Sequence, residues 1–155
     1  MKITILSIAP ELFEGWLKAK DPARVQVLDM RDYVKGSFRA VDDSPYGGGA
    51  GMVVRCEPVV GALTALGVYP EKPEKCRVIA LTPAGELFIQ KTAGRLAKET
   101  DHLILICGHY EGFDERIYAY CDDLYSIGDY VLSGGELPAM IIADAIISSM
   151  AEPIE

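Results

Sequence analysis

The sequence predicts a single α/β domain over residues 1–155, with a mainly parallel sheet and flanking helices. Short apolar runs bounded by turn residues alternate with segments of helical periodicity, and this alternation is typical of strand–helix–strand units. A length of 155 residues fits one domain. The composition, 50% hydrophobic and 25% charged, excludes a disordered chain.

Two strands and two helices are predicted in the first half of the chain. They fall on residues 2–8 (strand), 11–20 (helix), 25–30 (strand) and 57–66 (helix). The strands are apolar and rich in β-branched residues. The first helix opens after Pro10, which is favoured in a first helical turn, and the second ends at Gly67. Residues 31–52 lack a helical period and are rich in glycine, so we predict a long loop of functional importance.

The second half predicts further strands and helices. They fall on residues 77–81 (strand), 87–98 (helix), 102–107 (strand), 114–121 (helix), 124–127 and 130–132 (extended pieces) and 136–150 (helix). The first and second of these strands are apolar throughout, as in buried parallel strands. The helix at 87–98 places Ile89, Ala93 and Leu96 on one face. The last helix is apolar on nearly all sides, so we expect it to be buried, partly against another subunit.

Charge and hydropathy limit the possible functions. No apolar run approaches the roughly 18 residues that span a bilayer, and no signal peptide is evident, so we expect a cytoplasmic protein without membrane contact. The net charge is −8, and residues 101–155 carry one basic group against eleven acidic groups. Because Lys and Arg drive non-specific nucleic-acid binding, this charge argues against it. The four cysteines lack the spacing of a disulfide framework or a metal site, so we predict no metal ligands.

Glycine-rich turns follow three of the late strands, at residues 82–85, 108–112 and 128–135. In α/β sheets ligands bind beyond the carboxyl ends of strands, and glycine lets bare backbone approach a ligand. These turns therefore predict a binding site, although glycines that serve only tight turns and helix caps are the alternative. The glycine run at 47–51 fits neither the dinucleotide-binding fingerprint nor the P-loop, so NAD and ATP are poor candidates.

Three longer motifs together resemble the bacterial tRNA (guanine-N1-)-methyltransferase family, TrmD, of the SPOUT superfamily. They are VDDSPYGGGAGM at residues 41–52, CGHYEGFDER at 107–116 and SIGDYVLSGGELPA at 126–139. The resemblance covers about residues 1–145, the N-terminal catalytic domain of that family. It implies a deep trefoil knot, which is an exception to the usual unknotted chain. It also implies a homodimer with its sites at the subunit interface, S-adenosylmethionine as cofactor, and methylation of tRNA at N1 of the guanine 3′ of the anticodon. Mg²⁺ assists the family's turnover, and the sequence indicates no site for it.

The resemblance also assigns site residues. The implied cofactor-binding residues are Leu81, Pro83, Gly108, Tyr110, Gly112, Ile127, Gly128, Asp129, Tyr130, Val131, Leu132, Gly134, Gly135 and Pro138. Glu111 resembles the family's catalytic acid beside the transferred methyl group, with a helix-capping or solvated acid as the alternative. The residues that resemble the guanine-contacting part of the family site are Asp43, Gly47, Gly48 and Gly49.

Departures from the family pattern predict weak catalysis. The family's general base is an Asp in a linker and C-terminal tRNA-binding domain that these 155 residues do not contain, and Ser148 stands at the position of a family Arg. Loss of a general base alone costs roughly 10²–10⁴ in rate. We therefore expect a chain that binds S-adenosylmethionine and methylates tRNA weakly or not at all. The alternatives are a catalytically dead, S-adenosylmethionine-binding knotted dimer or scaffold and, from the α/β pattern alone, an unknotted flavodoxin-like or Rossmann nucleotide binder.

Overall fold

A central sheet of five parallel strands confirms the predicted fold class. The computed structural model describes residues 1–34, 42–43, 53–109 and 114–151. The strands of the sheet are β1 (Lys2–Ser7), β2 (Val25–Asp29), β5 (Cys76–Leu87), β6 (His102–Cys107) and β7 (Asp123–Ser126), with β3 (Asp42–Asp43) and β4 (Val53–Val54) forming a separate antiparallel pair. The order across the sheet is β2-β1-β6-β5-β7, so the three strands predicted to end in glycine-rich turns are adjacent.

Four α-helices accompany the sheet in the described ranges. They are α1 (Glu14–Leu17), α2 (Cys56–Ala65), α3 (Gln90–Glu99) and α4 (Glu136–Ala151), with 3-10 helices at Pro10–Phe13, Met30–Tyr33 and Glu115–Tyr120. Two of the predicted helices are present wholly or partly as 3-10 helix. The segment predicted at 11–20 is a 3-10 turn followed by one α turn. The segment predicted at 114–121 is a 3-10 helix, whose first turn is held by Asp114 through its contact with the Arg116 N–H at 3.0 Å.

Hydrophobic side chains fill both faces of the sheet, as the apolar strands predicted. On β6, Leu103 and Leu105 pack on one face in a cluster that includes residues of α3 and α4. Ile104 and Ile106 pack on the other face in a cluster that includes residues of α2. All four side chains are fully buried, and each contributes about 1.5–3 kcal/mol relative to an exposed position. The sheet is therefore a rigid middle layer whose strand ends hold a fixed position.

The turn predicted at residues 82–85 is wrong, because β5 continues through it. The strand continues through residues 82–85 to Leu87, and its pairing with β7 shifts register between Leu81 and Glu86. Gly85 permits the shift, because a Cβ there would lie 2.5 Å from the backbone carbonyl carbon of Leu124. Since Leu87 pairs with Ser126, α3 begins at Gln90 rather than at the predicted residue 87. Ile89 precedes the helix and is exposed, so its predicted place on the core face is also wrong.

Helix α4 is only partly buried. Ile142 and Ile146 are fully buried, whereas Leu137 and Ile141 are exposed. The helix therefore packs on the sheet with one face and leaves large apolar side chains on another. Threading of the chain through its own loop stays a prediction.

Candidate functional site

A cavity of about 280 Å³ lies beside the second half of β5 and the carboxyl ends of β6 and β7. Parallel neighbours end at the same edge of a sheet, so Gly108 after β6 and the glycine-rich turn after β7 meet there, next to residues 81–84 of the continued β5. The described residues that line the cavity are Leu81, Thr82, Pro83, Ala84, Gly108, His109, Tyr125, Ser126, Ile127, Gly128, Tyr130, Leu132, Gly134, Gly135 and Pro138. The convergence expected from the glycine-rich segments is thus present after β6 and β7, whereas Gly85 of β5 does not line the cavity.

Most residues assigned to cofactor binding by resemblance lie in this cavity. The ten that line it are Leu81, Pro83, Gly108, Ile127, Gly128, Tyr130, Leu132, Gly134, Gly135 and Pro138. Asp129 and Val131 are exposed and do not line it, and the Val131 side chain is fully open to solvent. The predictions for Tyr110 and Gly112 fall outside the described residues.

The predicted catalytic and substrate residues are mostly beyond the described part of the chain. Glu111, Gly47, Gly48 and Gly49 all fall outside it. The backbone of Asp43 belongs to β3 and pairs with Val53 of β4. Ser148, at the position of the family Arg, is exposed on α4.

Bare backbone forms the floor of the cavity, and two glycines there admit no side chain. A Cβ on Gly135 would lie 2.9 Å from the backbone N of Gly108 and 3.0 Å from Cα of Cys107. Gly135 donates its N–H to the Gly108 carbonyl at 2.9 Å. Gly128 has φ +133°, a conformation that side chains disfavour. These positions explain why glycine occurs at the ends of these particular strands.

Five lining residues were not assigned from the sequence: Thr82, Ala84, His109, Tyr125 and Ser126. The Ser126 Oγ accepts the Gly128 N–H and donates to the Gly128 carbonyl, both at 3.1 Å, so it closes the turn after β7. Tyr125 packs its ring edge against Phe88 with the ring centroids 5.6 Å apart, and its hydroxyl accepts from Arg95 at 3.2 Å. Four of the five are next to an assigned residue in the sequence, and this position is the signal that could have identified them.

A buried carboxylate lies directly behind the floor. Glu136 is the first residue of α4 and is 7% exposed. Ser7 at the end of β1 donates its hydroxyl to Oε2 of Glu136 at 2.8 Å. Burial raises the pKa of the Glu136 carboxyl, while this hydrogen bond and nearby His109 oppose the rise. Burial and the Glu136 charge together raise the pKa of the Cys107 thiol well above its usual value, so Cys107 stays a neutral side chain.

A second, wider groove of about 890 Å³ lies beside α2. Its walls carry both charges, with Arg55 and Arg116 facing Asp32 and Glu57. Arg55 contacts Glu57 at 3.8 Å, and Arg116 pairs with Asp114. The mixed charges indicate no particular ligand, and none of the assigned residues that the structure describes lines this groove.

Among the described residues, no group of three or more His, Cys, Asp or Glu side chains is arranged to hold a metal ion. No helix within the described ranges has the length and apolar character needed to cross a membrane.

Comparison with known proteins agrees with the motifs. Residues 1–153 match the sequence model of the family described as tRNA (guanine-1)-methyltransferase TrmD. A tRNA (guanine-N(1)-)-methyltransferase of Ureaplasma parvum is 48% identical over 155 residues, covering 95% of this chain and 66% of that protein. Proteins of the same name from Bacillus subtilis and Listeria innocua are 48% and 49% identical, each over 95% of this chain and 63% of the relative. The chain therefore spans just under two thirds of the length of these relatives.

Proposed function

This chain belongs to the TrmD family of tRNA (guanine-1)-methyltransferases, and we propose that its glycine-floored cavity binds S-adenosylmethionine for methyl transfer to guanine N1 of a tRNA. The observation that supports this most directly is that Gly108 after β6 and the glycine-rich turn after β7 meet beside β5 at one cavity. The assigned residues that line this cavity, together with Tyr110 and Gly112, are the proposed binding residues for the methyl donor.

The cavity suits an adenosyl group on chemical grounds. Leu81, Ile127, Leu132 and Pro138 supply apolar surfaces that can sandwich a flat heterocycle. The bare glycine backbones leave N–H and C=O groups within reach of the ring edge and the ribose hydroxyls. Leu81 and Pro138 are buried, so the apolar side of the cavity is packed against the core rather than formed by a loop alone.

The chain's own residues would orient the donor and exclude water. S-adenosylmethionine supplies an electrophilic methyl group on a sulfonium. Transfer of that methyl group to guanine N1 would also require a general base to take up the N1 proton. We propose that Glu111 lies beside the methyl group and that Asp43, Gly47, Gly48 and Gly49 contact the guanine, which is the one 3′ of the anticodon.

We also propose that the active form is a knotted homodimer in the cytoplasm. Large apolar side chains remain exposed near the cavity, in the turn after β7 (Tyr130 and Val131) and on α4 (Leu137 and Ile141). Such patches mark association surfaces. A partner subunit seated there would cover them and complete the site. Mg²⁺ would assist turnover, from a position that this chain does not indicate.

A catalytically dead cofactor-binding dimer or scaffold is the second candidate. Ser148 has no cationic group to stabilise an altered guanine, and the acidic last third of the chain repels RNA phosphates. Both features favour weak methyl transfer by these 155 residues.

Two measurements on the purified chain test these proposals. Titration calorimetry with S-adenosylhomocysteine should show binding, and the absence of heat at millimolar ligand would reject the cofactor site. A methylation assay compares a tRNA with guanine 3′ of the anticodon against a matched tRNA with adenine there. Robust guanine-dependent turnover would reject the catalytically dead candidate, and turnover on both tRNAs would reject the proposed target base.

A further inference from the structure

The Glu136 carboxylate is separated from the cavity by a single glycine backbone. A Cβ built on Gly134 would lie 2.5 Å from Oε1 of Glu136, and Gly134 itself lines the cavity. The Glu136 side chain is buried, so solvent screens its charge little. Among the described residues, His109 also lines the cavity and interacts electrostatically with Glu136.

Burial disfavours an ionised Glu136 carboxylate, and the hydrogen-bond donors around it oppose this effect. The Ala9 N–H donates to Ser7 Oγ at 2.9 Å, which directs the Ser7 proton to Oε2 of Glu136 at 2.8 Å. The backbone N–H of Glu136 and the Cys107 thiol donate to the same carboxyl group. A carboxylate accepts at all of its positions, whereas a glutamine would turn its NH₂ group towards one of these donors.

We propose that Glu136 is a specificity-determining residue whose buried negative charge makes the cavity favour the sulfonium S-adenosylmethionine over the neutral thioether S-adenosylhomocysteine. This inference rests on the proposed function. The two ligands differ by one methyl group and one positive charge, so a fixed anion behind the wall attracts the donor more than the product. Removal of the positive charge by methyl transfer then weakens retention of the product and helps a new donor to replace it.

The test compares dissociation constants by calorimetry for three ligands: S-adenosylmethionine, S-adenosylhomocysteine and sinefungin, a stable analogue with an ammonium group in place of the methylsulfonium. Glu136→Gln should lower the preference for the donor over the product about tenfold, as loss of one unit charge behind the wall predicts. Sinefungin should follow the donor. The matched control is Glu86→Gln, which removes an exposed carboxylate that does not line the cavity and should leave the preference unchanged.

A second measurement on the wild-type chain covers the case in which Glu136→Gln fails to fold. The groups that face Glu136 are Ser7 from β1, and Cys107 and His109 from β6 and the residues after it. The donor preference should fall as the pH decreases and Glu136 takes up a proton. The profile is repeated with His109→Asn, which removes the imidazole that lines the cavity, and should persist.

Three outcomes decide the matter. Selective loss of sulfonium and ammonium binding in Glu136→Gln, or a pH-dependent preference that survives His109→Asn, supports the charge role. Equal weakening of all three ligands together with a flat preference across pH overturns it and leaves Glu136 a structural residue. Failure of the wild type to bind any of the three ligands rejects the proposed function itself.

Discussion

At the scale of single residues, the cavity depends on glycines that exclude even a methyl group. Gly135 faces backbone atoms of Cys107 and Gly108, which cannot rotate away as a flexible side chain could. Gly94 on α3 has no neighbouring atom within 4 Å of a built Cβ. The two glycines therefore serve different purposes, and the same substitution should have opposite effects at the two positions.

We expect Gly135→Ala to weaken S-adenosylhomocysteine binding at least tenfold and to lower the free energy of unfolding by about 1–3 kcal/mol, because the new methyl group overpacks the floor. Gly94→Ala should raise the free energy of unfolding by about 0.5–1 kcal/mol, since alanine is the better helix former. Urea unfolding and calorimetry on both variants measure these effects. Unchanged ligand affinity in Gly135→Ala would contradict the assigned floor.

Two buried threonines allow a second comparison. Thr100 is 3% exposed, and its hydroxyl has no hydrogen-bond partner among the described residues. Thr4 is fully buried and contacts His102 at 2.9 Å and Gln26 at 3.0 Å. We expect Thr100→Val to be neutral or to raise the free energy of unfolding by about 1 kcal/mol, and Thr4→Val to lower it by about 1–3 kcal/mol. Urea denaturation compares the two, and a clear loss of stability in Thr100→Val would show that its hydroxyl is satisfied.

The motifs identified the bare floor of the cavity and its apolar side chains, but not Tyr125. Glycines that follow the ends of β6 and β7 are a visible signal, since they allow close approach of the backbone. Tyr125 carries no such signal, because a tyrosine within a strand is ordinary and its position becomes clear only when β5 and β7 pair. Asp129 and Val131 stand inside a matched motif yet are exposed, since they alternate with Gly128, Tyr130 and Leu132, which line the cavity.

At the scale of elements, the apolar run at residues 103–107 predicted β6 well because it is continuous and bounded by turn residues. The extension of β5 to Leu87 was not predictable, because it follows from pairing with β7, more than thirty residues later in the chain. The 3-10 character of Glu115–Tyr120 also depends on non-local packing, through Ile117 in the core below α2.

The sheet carries a polar bridge that should respond to acid. His102 begins β6 and shares a hydrogen bond with Thr4 on β1. Burial, with a smaller contribution from Lys2, lowers the pKa of His102 below its ordinary value of 6.5. The unfolded chain therefore takes up a proton at a higher pH than the folded chain. The stability contribution of neutral His102 is complete above about pH 6.5 and is lost as the pH falls towards the lower folded pKa.

We expect the free energy of unfolding to fall between pH 7 and pH 5, and His102→Gln to reduce this slope. Urea unfolding at four pH values in this interval measures it. The pKa of Glu136 is raised, so its protonation increases the free energy of unfolding as the pH falls. This effect is the same in the wild type and in His102→Gln, so the difference between their slopes isolates the contribution of His102. Parallel slopes for the two proteins would show that His102 does not titrate in this range.

At the scale of the whole molecule, α4 divides its apolar side chains between core and surface. Leu137 and Ile141 are one turn apart and are 57% and 51% exposed. The composition of the helix predicted an association surface, but not which side chains would face it, since a helix that is apolar on nearly all sides has no periodic marker. The fold class could be predicted from the order of strands and helices along the chain. A knot could not be predicted in this way, because it leaves no periodic pattern in the sequence.

We expect the wild-type chain to sediment as a dimer at micromolar concentration and Leu137→Glu to sediment as a monomer with weakened cofactor binding, because a charge in a desolvated interface is costly. Leu12→Glu is the matched control, at a similarly exposed leucine of the 3-10 helix Pro10–Phe13, and should remain dimeric. A wild type that sediments as a monomer would exclude a shared site.

The contact between Ser7 and Glu136 joins residues 129 positions apart in the chain. During synthesis on the ribosome, β1 and β2 emerge early and can pair, but β6 must insert beside β1 much later. The contact between Ser7 and Glu136 beneath the cavity cannot form until nearly all of the described chain has left the exit tunnel. Among the described residues, the end of the sheet beside the cavity therefore completes its packing late, and a nascent chain stalled before residue 136 would present an open sheet edge to chaperones.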